Sequence, residues 1–164
     1  MHPVEGPAWL VRLETSGVAA AMREWLWLYP IVEVVHILGF AVLVGSAFMF
    51  DLRLLGLSRA LPVAGMADHL LCWARWSLVL IVPTGALMFT AHATEFAFNP
   101  AFRLKLVLLA AAGLNAAIFH RVPFRSVGDW DTEISTPPGA RVAAALSLAL
   151  WTGVISCGRL IAYF

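Results

Sequence analysis

A helix needs roughly 20 consecutive apolar residues to cross the hydrocarbon core of a bilayer. This chain supplies four such runs, over residues 30–50, 70–93, 100–120 and 141–164. None alternates polar and apolar positions, and each is far longer than the strand of a membrane barrel, so β structure is excluded. In lipid the backbone must satisfy its own hydrogen bonds, which leaves the helix for these segments. The fold class is therefore all-α: an integral membrane, up-down four-helix transmembrane bundle with short connections. Composition agrees. Hydrophobic residues fill 61% of the 164 positions and charged ones 13%, against about 25% charged in a soluble domain. One small core could not hide that much apolar surface from water, so lipid is its solvent.

Local signals place the ends. Pro30 suits the opening turn of the first span, and Asn99-Pro100 supply a cap and a first-turn proline for the third. Pro83-Thr84-Gly85 predicts a kink in the second. Residues 8–28 interleave Trp9, Leu10, Leu13, Trp25 and Trp27 with Arg12, Glu14, Arg23 and Glu24, which reads as a short N-terminal helix lying in the interface. Segment 121–140, with Asp129, Asp131, Glu133 and Pro137-Pro138, reads as an exposed loop. Small residues such as Gly39, Gly45, Ser46, Ala116, Ala149 and Gly153 belong where helices pack closely. Residues 1–164 are expected to form a single membrane domain, with no cleaved signal segment at the start. The distribution of Lys and Arg leans towards termini that are periplasmic.

The same features exclude several functions. A net charge of +1 gives no basic field for nucleic acid. Phosphate-cradling glycine loops, nucleophile elbows and zinc-finger cysteine pairs are absent from the sequence. Cys72 and Cys157 fall in apolar runs at opposite depths and imply no disulfide framework. An electron carrier or binding protein fits better than a stand-alone enzyme.

Function should lie with the ionisable residues inside the spans, which are costly in hydrocarbon. Glu33 and His36, at spacing i, i+3, share one helix face. A rise of about 1.5 Å per residue places them one to two turns in from the side bearing the termini. His92 in the second span, Lys105 in the third and Arg159 in the fourth lie in the same layer. The leading reading is haem b held between His36 and His92 as axial ligands, with Arg159, Lys105 and Arg103 pairing with the propionates. Such a protein would serve electron transfer with a redox partner or quinone. The alternative is a copper or zinc site built from Glu33, His36 and His92, with a weaker second site at His69 and His120. The plainest reading makes the layer packing glue, with Glu33 neutralised by Lys105 or Arg159 in a homo-oligomer or larger membrane complex. On the opposite side, Asp51 reads as an interfacial salt bridge with Arg53 or Arg75.

Three motifs carry a resemblance. They are Trp27-Leu28-Tyr29-Pro30-Ile31-Val32-Glu33-Val34-Val35-His36-Ile37-Leu38-Gly39, then Asp51-Leu52-Arg53-Leu54-Leu55-Gly56, then Asn99-Pro100-Ala101-Phe102-Arg103-Leu104-Lys105, which continues into Gly113-Leu114-Asn115 and Phe119-His120. Together they resemble an uncharacterised family of small bacterial four-span inner-membrane proteins. The overall plan is also similar to copper-resistance membrane proteins and small b-type cytochromes, a likeness that implies a cofactor bound by His-bearing spans.

Overall fold

The computed structural model of the chain describes residues 6–163. Its helices run in the order α1 (Ala8–Glu14), α2 (Gly17–Glu24), α3 (Leu28–Leu54), α4 (Val63–Met66), α5 (Cys72–Ala91), α6 (Ala93–Phe98), α7 (Pro100–Arg121) and α8 (Pro138–Leu160). A π-helical turn, Ala67–Leu71, joins α4 to α5 without a break. No strand occurs among the described residues. Four segments are long and apolar enough to cross a membrane: Leu28–Leu54, Val63–Ala91, Pro100–Arg121 and Pro138–Tyr163. At most 28% of their most apolar windows is buried within the protein, so most of that surface faces outward, to lipid. Phe164, the expected end of the fourth span, lies outside the described residues.

Several boundaries differ from expectation for identifiable reasons. Segment 8–28 forms two helices rather than one, because Thr15 and Ser16 hydrogen-bond back to the carbonyls of Val11 (2.8 Å) and Leu13 (2.7 Å). Ser16 then caps α2 by accepting from the Ala19 amide. The second span starts earlier than residue 70 and stops at His92, whose backbone (φ −141°, ψ 49°) leaves the helix. There α6 begins, a short helix that hydropathy did not single out. Asn99 caps α7 as expected, accepting from the Phe102 amide at 3.1 Å.

The first span runs past residue 50 to Leu54 because Arg53 is only 1% exposed and is held by three backbone carbonyls at the membrane edge. Its Nε donates to the Leu61 carbonyl (2.7 Å), and its Nη2 donates to the carbonyls of Arg59 and Asp131. Asp131 Oδ1 in turn accepts from the Ala64 amide. Segment 121–140 is therefore not simply an exposed loop: Trp130 and Thr136 are buried, and Trp130 packs with Phe50, Leu54, Val63 and Phe119. At the other end, Glu14 Oε2 accepts from the amide and hydroxyl of Thr94, and Arg23 donates to the Ala91 carbonyl. These bonds strap the α1–α2 hairpin across the end of α5 and the start of α6.

Two close helix pairs build the bundle, α3 with α5 and α7 with α8, and α3 also packs on α8. Glycines set the closest approaches. A Cβ at Gly39 would lie 3.0 Å from Ile81 Cγ1, and one at Gly153 would lie 3.0 Å from Leu108 Cδ1. The remaining neighbours, α5 and α7, stand apart along most of their length. That opening positions the site.

Candidate intramembrane site

A cavity of about 1160 Å³ occupies the middle of the bundle and is lined by all four long helices. Most of its wall is apolar. Leu78 and Val82 on α5 and Leu106 on α7 line it and are also exposed, so the space opens sideways into lipid between these helices. Towards the termini the opening narrows: Phe102 of α7 stacks on Phe89 of α5 (5.5 Å) and on Phe96 of α6 (5.7 Å). Polar side chains gather at the two ends of the cavity. Tyr29, Glu33, His36, Glu95, Lys105 and Arg159 mark the end nearest the termini; Asp51, Arg75, Asn115, His120 and Ser147 mark the end nearest the interhelical loops.

His36 is the most closely positioned of these. Gly85 on α5 leaves room for its ring, since a Cβ there would meet His36 Cε1 at 3.1 Å. His36 Nδ1 lies 3.0 Å from Thr84 Oγ1, and that hydroxyl is 2.5 Å from the Leu80 carbonyl. A hydroxyl has one proton to give, and the shorter bond claims it. Thr84 therefore accepts from His36 Nδ1–H, which fixes the tautomer and leaves Nε2 with a lone pair. Pro83-Thr84-Gly85, expected to mark a kink, thus serves to seat an imidazole.

Lys105 reaches across to α8, where its Nζ would lie 3.7 Å from a Cβ on Gly158. Arg159 lies beside it in sequence, donates to Tyr163 Oη at 2.9 Å and packs over that ring. Glu33 lines the same end but is paired with neither cation. The ion pair among the described residues is His92 with Glu95, at 3.7 Å. The neutralised Glu33 of the packing reading is therefore not formed.

The other expected members are placed elsewhere. His92 is not part of the cavity wall; its ring packs edge-on against Tyr29 (6.5 Å between centroids) and beside Phe96. Tyr29 precedes His36 by two turns of α3, about 10 Å of helical rise. Two axial imidazoles on one metal have their nitrogens about 4 Å apart, given bonds of about 2 Å each. The structure does not bring His36 and His92 together in that way. Arg103 also faces away, its Nε donating to the Ala97 carbonyl and its guanidinium over Phe98. Among the described residues no group of three or more His, Cys, Asp and Glu is arranged to hold a metal ion, so Glu33, His36 and His92 form no triad. His69 is exposed on the π-helical turn, whereas His120 is bonded to its own helix at the Ala116 carbonyl and packs against Phe119 and Phe124.

Asp51, expected as an interfacial salt bridge with Arg53 or Arg75, is instead a member of the cavity wall. It is 6% exposed, lines the cavity, and its Oδ2 has no hydrogen-bond partner. The expected pairing with Arg53 does not form, because Arg53 turns outward to the three loop carbonyls. A signal was present: Asp51 follows Glu33 by eighteen residues, which at about 3.6 residues per turn puts both on one face of α3.

Fold and site together define a multi-pass helical membrane protein built around a lipid-open cavity that is polar at both ends. The chain belongs to DUF6644, a family of unknown function, whose profile matches residues 14–164. No curated protein and no solved structure matches the chain.

Proposed function

We propose that the protein is a small b-type haem protein of a bacterial inner membrane, exchanging electrons with a membrane partner of the quinone class. One observation carries this reading. A single end of a large apolar cavity holds an imidazole with a free Nε2 together with the cations of Lys105 and Arg159. Haem b makes the same three demands: a neutral imidazole for the iron, apolar room for the macrocycle, and cations for two propionates. Pockets for drug-sized ligands run to about 1,000 Å³, and this cavity exceeds that. In this arrangement His36 would ligate the iron and Lys105 and Arg159 would pair with the propionates, while His92 and Arg103 would take no part. Bound haem supplies the redox chemistry; the chain supplies ligation, charge and a dry enclosure. A copper or zinc carrier would need a donor set that the described residues do not assemble.

The test is the spectrum of protein purified from haem-replete cells. A Soret band that shifts on dithionite reduction is expected, lost in His36→Ala and retained in His92→Ala. Lys105→Ala should keep the band but lose haem faster to an external acceptor. Colourless protein under those conditions overturns the reading, as does a band that survives in His36→Ala.

A further inference from the structure

The loop-side end of the cavity is a second site, chemically unlike the first. Asp51 is more than nine-tenths buried, and one of its carboxylate oxygens has no donor. Buried acceptors in native proteins are almost always satisfied, so an orphan facing a cavity calls for a partner that the chain does not provide. Ser147 of α8 reaches the same carboxyl. Asn115 of α7 donates one amide proton to the Ala143 carbonyl at 2.9 Å, and its side-chain oxygen is a further acceptor. Arg75 lines the same end, but its Nε donates to the Leu71 carbonyl, and Asp51 Oδ2 stays without a donor. Next to them, Phe50 and Phe119 meet edge to face at 5.7 Å and line the cavity, forming an aromatic wall. The route in is apolar and runs between α5 and α7.

We propose that this end binds the head of a lipid-soluble phenol or hydroquinone, whose hydroxyl donates to Asp51 while its ring packs on Phe50 and Phe119. Each part of that molecule answers one feature. The apolar body suits a path from the bilayer, the flat ring suits the aromatic pair, and the hydroxyl proton supplies the missing donor. The site requires nothing at His36, so it stands or falls separately from the haem reading.

Decylhydroquinone and its dimethyl ether test it, the ether having the same ring and tail but no donor. Binding to nanodisc-embedded protein is measured anaerobically, with empty nanodiscs subtracted. The hydroquinone should bind saturably and about tenfold more tightly than the ether, the worth of about one hydrogen bond. Asp51→Leu, which removes the acceptor, should bring the hydroquinone down to the ether's level, whereas His36→Ala should leave the preference intact. Gly113→Phe gives an independent check, because a Cβ there meets nothing within 4 Å and the ring would plug the cavity; it should abolish saturable binding of both. Equal affinity for hydroquinone and ether in the unmodified protein overturns the proposal. So does a preference that survives in Asp51→Leu, or binding unaffected by Gly113→Phe.

Discussion

At the residue scale, the chemistry rests on single side chains held by inconspicuous neighbours. Thr84 decides which nitrogen of His36 carries the proton. In Thr84→Val the ring loses its hydroxyl acceptor and the share of the Nδ1–H tautomer should fall; side-chain nitrogen-15 shifts of His36 report this directly, and an unchanged tautomer ratio would contradict the assignment. Arg53 does comparable work for structure. Truncation to Ala leaves three carbonyls without their donor, each costing about 1–3 kcal/mol when buried. A loss of roughly 3 kcal/mol or more is expected by thermal unfolding in a fixed detergent. Arg53→Lys should recover only part of it, since an ammonium cannot reproduce the planar fork. Some of this was legible beforehand: a membrane His one turn from a Glu announces itself by cost alone. Thr84 and Gly85 were legible only as helix irregularities, because what they do depends on which residue α3 places opposite them.

Among the elements, the helices that span were plain from hydropathy, while those that position them were not. Hydropathy has no sign for a hairpin tied down by two polar bonds, and α6 exists because the backbone breaks at His92. The strap through Glu14 carries a pH signature. Burial raises the Glu14 carboxyl, but the two Thr94 donors and the charges of Arg23 and His92 outweigh it, and the net shift is downward from the ordinary 4.5. A carboxyl held low contributes stability that is fully present above that ordinary value and disappears as pH falls through its folded one. The α1–α2 hairpin should therefore release in acid below 4.5, followed as loss of hydrogen-exchange protection at the Thr94 amide. Glu14→Gln should show no such acid step. Packing between spans is tested at Gly39, where a side chain would press on Ile81 and Leu80. Gly39→Val should destabilise by about 1–3 kcal/mol, the usual cost of overpacking, whereas the same change at Gly45, whose Cβ would meet nothing within 4 Å, should cost far less of that kind.

For the whole molecule, the sequence announced four helices around a polar layer but not their unequal association. Small residues are spread over several helices, and nothing in their spacing tells that α3 grips α5 and α7 grips α8 while α5 and α7 part. Nor could depth alone separate His36 from His92: rise per residue ranks positions along an axis and says nothing about which wall a side chain joins. The opening between α5 and α7 has a further consequence for anything that reaches the cavity through it. Such a compound is supplied from the hydrocarbon phase, so occupancy follows its mole fraction in the bilayer rather than its concentration in the buffer. At fixed total compound, doubling the lipid should roughly halve sub-saturating occupancy of a strongly partitioning molecule, even though no residue of the protein has changed.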